Sequence, residues 1–578
     1  MNDLETRAGR QLYDLLPEVY RSRDDGSLAA WVDAAGDLLD LVRNTLEQRL
    51  ADSFPDEPFD GRACQDWLLP YFADLLEPRL ISSDPQGQRA EVANAIAWRQ
   101  RKGTLVSAEQ IAQEVGQIEA EVQEGWKRVA VTPRIGGSRP AAPLEAGKPW
   151  AAELPVGTVD FGFQSRALAA DADDPAAHLT RFGGQVVPWR QAYPSGAPAF
   201  PGSYEDASAV TVDLRTPEWR RGHAHPRRIL FYYPPQGGFF PPGAPRVDWL
   251  AWASRRSSFE IQCGQLDARH LDNLTYTDGT ETVFLQRLPG PEGEDVVQAR
   301  KGGALIAERI TEVDGRVRSR LLLADRWLER SAKPGEPVTY RGDGQPVVLT
   351  TTDPVNTLWF GGQEMEVAFE DLSLDATIRN TLAGARMTFR RSAARAVYLL
   401  TQDTETPVID AVDSLFDHVA ATEGLIRLEY TTVLSELNGR RLQVSDSLLL
   451  GQLTLGASGK VSVLRYSRLP QALEGTGLLQ SFNTLEPPLF VELDFIDAGK
   501  PVRRAANFGE PGAGVLHPEA PRSIRLGAED GGEMGAYHGR RYSLAAEAVR
   551  NKLEDYLPVG TEAVLIPDPR LLTPPPAG

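Results

Sequence analysis

The sequence predicts an α+β multidomain protein, in which an N-terminal helical module is followed by β-rich domains that include a short irregular parallel β-helix. Apolar residues recur at steps of three and four in the opening segment, which is typical of amphipathic helices. Runs of β-branched and aromatic residues between Gly and Pro clusters dominate the remainder, which is typical of short strands. Together with changes in composition, these patterns divide the chain into five expected segments: 1–126, 127–208, 209–370, 371–500 and 501–578.

Length, charge and cysteine usage narrow the class of protein. At 578 residues the chain is too long for one hydrophobic core, and its net charge of −19 argues against nucleic acid as the main partner. No apolar run approaches the roughly 20 residues that span a bilayer, and the first residues lack the layout of a signal peptide. We therefore expect production in the cytoplasm without membrane insertion. The widely separated Cys64 and Cys263 predict buried free thiols.

The first long helix is predicted to begin after a Ser27 cap and to end near Leu50. Its apolar residues form one stripe: Leu28, Trp31, Val32, Ala35, Leu38, Leu39, Val42, Leu46 and Leu50. Two interpretations stay open at this point. The stripe either packs into the core of its own domain or is shared with neighbouring subunits.

Three further helices are predicted in the opening segment, at about 67–76, 86–101 and 104–115. The helix 86–101 ends on three cations, which complement the negative end of the helix dipole: Arg99, Arg101 and Lys102. Gly103 then accepts the left-handed conformation that ends a helix, and Thr104 caps the next helix. By itself this stretch is an ordinary helix end followed by the N-cap of the next helix.

Three short motifs of the opening segment resemble a known family. They are Leu15-Leu16-Pro17-Glu18-Val19-Tyr20-Arg21, the pair Trp67-Leu68, and Arg99-Gln100-Arg101-Lys102-Gly103-Thr104. Together they resemble the phage tail protein I family, whose members are baseplate wedge components of contractile phage tails and of phage-tail-like contractile injection systems. The resemblance covers about the first 125 residues.

The resemblance implies a structural, non-enzymatic role. A protein of this family is expected in multiple copies in a six-fold particle, in contact with other baseplate wedge proteins, the hub or spike, and the sheath initiator, and it takes part in triggering contraction. The helical module is the part that associates with partners. The candidate partner-interface residues are therefore these: Leu28, Trp31, Leu38, Leu39, Val42, Leu46, Trp98, Arg99, Arg101 and Lys102.

The segment 127–208 is rich in Pro, Gly and Ala, which predicts a loop-rich insert or an extended arm. Strand signals follow it. Short strands are predicted at 210–214, 229–233, 282–285, 304–306 and 347–350.

A repeat between residues 371 and 500 predicts stacked rungs. A hydroxyl residue followed by an apolar pair recurs at Ser414, Thr432, Ser447 and Ser467, at intervals of 18, 15 and 20 residues. Each interval holds two or three short strands with their turns, which fits a parallel β-helix whose equivalent side chains stack. Because the intervals are irregular, a meander of antiparallel strands remains the alternative.

The same region and the end of the chain carry a second resemblance. The segments 442–451, 508–512 and 527–537 resemble the C-terminal half of large uncharacterised proteins of phage-tail-like gene clusters, which points to the same system without supplying a mechanism. Beyond them, Ser543 is predicted to cap a C-terminal helix, and residues 567–578 form a proline-rich end.

One pair of carboxylates invites an enzymatic interpretation. Asp413 and Asp446 hold matching places two proposed rungs apart, which is roughly 9.6 Å of strand spacing. An inverting glycosidase separates its carboxylates by roughly 6.5–9.5 Å. Polar residues on a solvated face explain the pair equally well, and no phosphate-binding loop, dinucleotide fingerprint or nucleophile elbow is present. We therefore predict no enzyme and no cofactor.

Two other clusters contain residue types that bind metal ions. His223 and His225 offer two imidazoles, but the arginines beside them repel a cation, so a basic loop that docks on an acidic neighbour is favoured. The acidic residues Glu529, Asp530 and Glu533 lack the spacing of a calcium-binding EF-hand loop and are interpreted as a glycine-rich turn region. No metal is predicted. The competing class of protein is a peripheral tailspike-like adhesin or glycan-cleaving β-helix protein.

Overall fold

The structure is a computed structural model. It describes residues 6–55, 62–128, 180–182, 185–187, 225–278, 281–290, 293–353, 355–362, 364–400, 405–456, 461–475, 477–497 and 500–567. The chain divides into two compact units. The helical unit comprises Met1–Glu119 and Ala548–Gly560, and the β unit comprises Ala120–Glu547 and Thr561–Gly578. Both cysteines, Cys64 and Cys263, are buried and free, as expected.

The described residues contain ten α-helices and 26 β-strands. The helices are α1 Arg7–Asp14, α2 Glu18–Arg21, α3 Ser27–Ala51, α4 Leu69–Leu76, α5 Pro85–Ala93, α6 Ala95–Gln100, α7 Leu105–Gly116, α8 Trp249–Ala268, α9 Arg522–Arg525 and α10 Tyr542–Tyr556. The strands are β1 Glu121–Glu124, β2 Thr180–Phe182, β3 Gln185–Val187, β4 Arg228–Tyr233, β5 Arg246–Asp248, β6 Asn273–Asp278, β7 Glu281–Pro289, β8 Asp295–Lys301, β9 Ala304–Thr311, β10 Val317–Leu323, β11 Arg326–Ala332, β12 Val338–Gly342, β13 Val348–Thr350, β14 Thr357–Trp359, β15 Glu366–Glu370, β16 Ser373–Asn380, β17 Arg386–Arg390, β18 Ala393–Leu399, β19 Ile409–Ser445, β20 Leu448–Leu449, β21 Gln452–Leu455, β22 Ser462–Arg465, β23 Leu478–Ser481, β24 Glu492–Asp497, β25 Lys500–Ala505 and β26 Glu562–Pro567.

The core of the helical unit joins both ends of the chain. Helix α7 approaches the second half of α10 so closely that a Cβ on Gly116 would lie 2.2 Å from Cγ2 of Val549, so only glycine fits there. Trp98 packs edge-on against Tyr556, with ring centroids 6.1 Å apart. Apolar packing between segments that are distant in the sequence therefore holds this unit together.

A buried ion pair lies in the same core. The ammonium of Lys552 lies 3.1 Å from a carboxylate oxygen of Glu91, and both side chains are at most 2% exposed. Lys552 also donates to the carbonyl of Arg79 at 2.6 Å, and Glu91 accepts from the amides of Ile81 and Ser82. The buried charges are thus paired and hydrogen-bonded, as burial in an apolar core requires.

The start of α3 differs from the prediction that Ser27 caps it. The capping position is Gly26, with a φ of 102°, and it has no side-chain capping bond. Asp24 instead accepts from the amides of Leu28 and Ala29, each at 3.0 Å. A carboxylate a few residues upstream thus satisfies the free amides of the first turn.

The stretch from Trp98 to Thr104 forms the predicted helix end at Gly103 and the predicted cap at Thr104. Gly103 has a φ of +83°, and the Thr104 hydroxyl accepts from the amide of Ser107 at 3.3 Å. The amide of Gly103 donates to the carbonyl of Tyr556 at 2.9 Å. The single helix expected at 86–101 is wrong in one respect, because Asn94, with a ψ of 0°, divides it into α5 and α6.

The β unit begins with elements that cover one end of a β-solenoid. Strands β6 to β12 form an antiparallel meander, against which helix α8 packs. Helix α8 lies within the segment expected to be β-rich, and it was not predicted. Its carboxylate cap, Asp248, accepts from the amide of Ala251. Trp249 and Trp252 of this helix pack against Tyr340 of β12, at centroid distances of 4.9 and 5.9 Å.

Residues 357–481 form a β-solenoid of about six turns, which confirms the parallel β-helix interpretation over the antiparallel meander. Successive strands pair in parallel, for example β15 with β17 and β17 with β19. Aromatic residues pack along the interior: Phe369 stacks on its register partner Phe389 with centroids 5.1 Å apart, and Phe416 meets Phe389 edge-on at 5.0 Å. The stacked rings are fully buried and supply a continuous apolar core.

A ladder of buried hydroxyl groups marks one corner of the solenoid. The Ser414 hydroxyl accepts from the amide of Ser392, the Ser447 hydroxyl from that of Thr431, and the Ser467 hydroxyl from that of Ser447, at 3.4, 3.0 and 3.1 Å. The rung residue is Thr431, so the predicted equivalence of Thr432 is wrong by one position. The reason is the φ of +45° at Tyr430, which turns the chain one residue earlier.

Every rung of this corner contains a residue in the left-handed conformation. These residues, with φ between 45° and 55°, are Asp371, Arg391, Asp413, Tyr430, Asp446, Tyr466 and Phe482. Such a φ is costly for a non-glycine residue. At five of these seven corners the next residue is a buried Ser or Thr whose hydroxyl donates to the carbonyl two residues before it, which stabilises the turn. Leu372 and Asn483 follow the first and the last corner residue. The sharp corner therefore depends on a two-residue motif that repeats at irregular spacing.

The remaining strands form small sheets. In the first, β4 is central, with β1 antiparallel on one side and β26 parallel on the other. The hairpins β2–β3 and β24–β25 complete the set. Apart from 127–128, 180–182 and 185–187, the arm expected at 127–208 lies outside the described residues, as do the predicted strand 210–214 and the end beyond 567.

Candidate functional site

Helix α3 uses small and acidic residues to hold α1. The hydroxyl of Thr6 donates to a carboxylate oxygen of Asp33 at 2.6 Å, and the amides of Arg7 and Ala8 donate to Asp40 at 2.8 and 3.2 Å. A Cβ on Gly36 would lie 2.3 Å from a backbone nitrogen of α1. The contact between the two helices is therefore close and polar. The large apolar residues of α3 lie outside this contact.

Those apolar residues face outward. Trp31 is 71% exposed, Leu38 67% and Leu46 65%, and Leu39 and Val42 are also at least half exposed. We call these five residues the α3 stripe. Leu28, the sixth candidate on this helix, is half-buried, and the buried positions of α3 are Ala29, Val32, Gly36 and Ala51. Exposed apolar patches are typical of interaction sites, so the α3 stripe is the candidate functional surface.

The candidate residues after α5 separate into two groups. Trp98 is 1% exposed, so its assignment to a partner interface is wrong: its ring belongs to the core of the helical unit. Arg99, Arg101 and Lys102 are exposed at the end of α6. Arg99 hydrogen-bonds Tyr556, which leaves Arg101 and Lys102 as the cations best placed to meet a partner.

A charged pair flanks the α3 stripe. Arg43 donates to Glu47 at 2.6 Å, one turn along the helix, and Arg62 lies 3.5 Å from the same carboxylate. The hydrogen bond from Arg43 lowers the pKa of Glu47, so this carboxylate stays ionised. A polar, charged rim around an apolar centre is the usual anatomy of a protein–protein interface.

Helix α4 and the helical turn that leads into it present a second exposed apolar face, which was not among the candidate interfaces predicted from the sequence. Trp67, Tyr71 and Leu75 are 57%, 63% and 79% exposed, and they follow each other at intervals of four residues. The rings of Trp67 and Tyr71 meet edge-on at 6.2 Å. The four-residue spacing was present in the sequence, but it was used only to predict a helix at about 67–76.

Asp413 and Asp446 lie at equivalent corners two rungs apart, as expected, but their surroundings differ. Asp446 is 1% exposed and accepts from the amide of Glu529 at 2.7 Å. Tyr430 holds the rung between them, and its ring stacks on His538 with centroids 3.8 Å apart. Asp413 lines a cavity of about 440 Å³, and burial raises the pKa of its carboxyl group. One carboxylate thus lines a cavity, whereas the other is buried and bonded to a backbone amide.

The acidic residues near the C-terminal end serve three separate contacts. Glu529 pairs with Arg465 at 3.3 Å, and Asp530 pairs with His538 at 3.0 Å. Glu533 is buried and accepts from the amide of Ser543, and burial raises the pKa of its carboxyl group to about 7. The carboxylates therefore point to different partners within the chain and not to a common centre.

The histidine pair is only partly described. His225 is buried, and its Nδ1 accepts from the amide of Arg227 at 3.1 Å. His223 lies outside the described residues. Within the described part of the chain, no three His, Cys, Asp or Glu side chains are grouped in a way that would hold a metal ion.

Comparison of the chain with protein-family models, with curated proteins and with solved structures finds no match. None of the helices in the described ranges combines the length and the apolar character needed to cross a membrane. The exposed surfaces of the two units are therefore the basis for a functional proposal.

Proposed function

We propose that this protein is a structural baseplate wedge component of a contractile phage-tail-like particle, and that the α3 stripe binds a helix of a partner wedge protein. One observation carries this proposal: a 25-residue helix keeps its large apolar side chains exposed while it holds α1 through acidic and small residues. The opening motifs resemble the phage tail protein I family, and we therefore expect the partner to be another baseplate wedge protein.

The chemistry of α3 favours a protein partner over a lipid surface. Helices that lie on membranes are rich in Lys and Arg on the polar face. Helix α3 carries four acidic residues against two arginines: Asp33, Asp37, Asp40 and Glu47 against Arg43 and Arg49. Its net charge is negative, so an anionic membrane surface would repel it. An amphipathic helix of another protein supplies apolar area without that repulsion.

The exposed side chains are large enough to anchor such a contact. Complete burial of a Leu or Val side chain contributes roughly 1.5–3 kcal/mol, and the α3 stripe offers five residues that are at least half exposed. Trp31 is the residue type that most often dominates binding energy at the centre of an interface. In the proposed particle, several copies produced in the cytoplasm join other wedge proteins, the hub or spike and the sheath initiator. Triggering requires two alternative arrangements of one such interface.

The test places charges on the α3 stripe in the organism that produces the protein. Particles are purified from strains that carry wild type, Leu38→Glu with Leu46→Glu, or the control Ile261→Glu. Ile261 is 61% exposed on helix α8, so the control makes the same kind of change on another helix. We expect wild type and control in the particles and the double variant absent from them, although it stays folded. Absence of the wild-type protein from any sheath-containing particle, or normal incorporation of the double variant, overturns the proposal.

A second variant tests the cations at the end of α6. Arg101→Glu with Lys102→Glu reverses two exposed charges and leaves the Arg99 contact with Tyr556 in place. We expect reduced incorporation into particles with an unchanged melting temperature. Equal losses of incorporation and of stability would show instead that these cations act within the helical unit.

A further inference from the structure

Four segments of the β unit that are distant in the sequence line one cavity of about 440 Å³. They are the loop after β4, the loop between β12 and β13, the corner of the first solenoid rungs, and the segment before α10. The volume falls in the range of roughly 300–1,000 Å³ that is typical of small-molecule sites. Gln345 and Arg540 of the lining are exposed, so the cavity opens to solvent and a ligand can enter it.

Hydrogen bonds fix the walls of this cavity. The hydroxyl of Tyr537 accepts from the amide of Phe239 at 3.3 Å and donates to the carbonyl of Ala513 at 2.7 Å. A Cβ on Gly238 would lie 2.5 Å from the same hydroxyl oxygen, so only glycine fits there. The buried hydroxyl of Ser373 donates to the carbonyl of Phe239 at 2.6 Å. The cavity is therefore formed before any ligand binds, as small-molecule sites usually are.

Arg540 contributes a guanidinium group that is held by aromatic rings. It lies 5.7 Å from the ring centroids of both Phe239 and Tyr537, and it donates to the hydroxyl of Tyr542 at 3.1 Å. Within the described ranges it forms no ion pair with a carboxylate. A guanidinium has several N–H donors, so most of them remain available to a ligand.

Asp413 contributes a carboxyl group with few bonds of its own. The backbone of Gly539 donates to it, and its Oδ1 is buried without a hydrogen-bond partner among the described residues. The side chain as a whole is partly exposed. Burial raises the pKa of this carboxyl group, and a perturbed carboxyl group in a cleft is typical of functional sites. By contrast, Asp371 is occupied by two bonds from Arg391, at 2.7 and 2.9 Å.

The balance of charges in the lining indicates a neutral ligand. Asp371 and Asp413 stand against Arg391 and Arg540, so neither sign is in excess. An anion would meet the two carboxylates, and an ammonium group beside Asp413 would meet Arg391, which interacts electrostatically with the same carboxyl group. A purely apolar ligand would remove water from Asp413 and Arg540 without replacing its hydrogen bonds. Hydroxyl groups both donate and accept, so they suit a carboxyl and a guanidinium group at once.

We propose that this cavity binds a neutral sugar, whose hydroxyl groups bond Asp413 and Arg540. The apolar face of the sugar ring packs on the apolar part of the lining, which includes Pro241, Pro346 and Val347. The inference describes binding, in which no covalent bond is made or broken. It concerns the β unit and does not rest on the proposed baseplate role, which depends on the α3 stripe.

The test measures sugar binding to the purified full-length protein by saturation-transfer NMR. The probes are D-glucose, D-galactose, D-mannose, L-rhamnose and N-acetyl-D-glucosamine, each as the free sugar and as its methyl glycosides. We expect at least one probe to bind with a Kd of about 1 mM or lower. Asp413→Asn and Arg540→Gln should each weaken this binding roughly tenfold, which is about the worth of one hydrogen bond to a charged group.

Arg379→Gln is the matched control. Arg379 lies over the ring of Tyr398, with 4.6 Å to its centroid, and it is not part of the cavity lining, so the control also removes an arginine from an aromatic ring. We expect it to bind the sugar as wild type does. Asparagine tolerates the left-handed conformation of residue 413, so Asp413→Asn should keep the melting temperature of the control.

Two comparisons complete the experiment. A methyl glycoside that binds as tightly as the free sugar identifies a unit of a glycan chain as the ligand, whereas binding of the free sugar alone identifies a monosaccharide. Leu38→Glu with Leu46→Glu on the α3 stripe should leave sugar binding unchanged, which separates this inference from the proposed function. The proposal is overturned if no probe binds, if Asp413→Asn and Arg540→Gln bind as wild type does, or if L-alanine or D-glucuronate binds more tightly than every neutral sugar.

Discussion

The ion pair between Glu91 and Lys552 allows a quantitative test of how the helical unit is held together. Lys552→Met keeps most of the apolar stem and removes the charge. Glu91 is then an unpaired carboxylate in a core where it is 0% exposed, and breaking a buried pair in this way costs about 3–5 kcal/mol. Because Glu91 keeps its bonds from the amides of Ile81 and Ser82, we expect the lower end, about 3 kcal/mol.

The loss is measured by hydrogen exchange of the amides in α7, which open when the helical unit unfolds. A loss of 3 kcal/mol corresponds to exchange that is roughly a hundredfold faster. The amides of β19 in the β unit provide an internal control. Lys102→Met is the matched substitution, since Lys102 is exposed, and we expect it to change stability by less than about 0.5 kcal/mol.

A double variant identifies the physical cause. Glu91→Gln with Lys552→Met removes both charges and retains an oxygen that accepts from the Ser82 amide. The double variant should exchange more slowly than Lys552→Met alone, because no uncompensated charge remains buried. Exchange of Lys552→Met within threefold of wild type, or a double variant as unstable as the single one, would refute the reasoning.

Three further predictions concern the β unit. Ser447→Ala leaves the buried amide of Thr431 without its acceptor at 3.0 Å and should cost about 1–3 kcal/mol in urea unfolding, whereas exposed serines should cost far less. Phe389→Ala, in the stacked interior, should cost about 3–5 kcal/mol by the same assay. Burial raises the pKa of Glu533 from 4.5 to about 7, so the folded state binds this proton more tightly than the unfolded chain. The stability it contributes is complete below pH 4.5 and is lost as the pH rises through about 7, and Glu533→Gln should abolish this decline.

Much of the architecture could be predicted from local pattern. The structure confirms three features that depend on residues close in sequence. These are the amphipathic helices, the helix end and cap at Gly103 and Thr104, and the parallel solenoid. The hydroxyl repeat was found but assigned one position late at Thr432. The φ of +45° at Tyr430 moves the corner, and an aromatic residue gives no sequence signal for the left-handed conformation.

Other features could not be predicted from local pattern, or were overlooked. Helix α8 was overlooked because its tryptophans follow strand-like residues, although Trp249, Trp252, Phe259, Cys263 and Leu266 lie on one helical face. The outward direction of the α3 stripe could not be read from periodicity, since an apolar stripe looks the same whether it faces a core or solvent. Trp98 is the opposite case, because it was expected at an interface and is buried. Its packing partner, Tyr556, is far away in the sequence, so local pattern gave no sign of the contact.

The helical unit is built from two segments that are far apart in the sequence, and this affects when it can fold. Lys552 binds the carbonyl of Arg79 across 473 residues of sequence. Ribosomes add about 5–20 residues per second, so roughly 25–95 s separate the synthesis of these two residues. Throughout that interval the nascent chain has Glu91 without its cation and α7 without α10. Only a polypeptide translated beyond residue 560 possesses a finished helical unit, and a chain that terminates earlier keeps an incompletely packed helical unit.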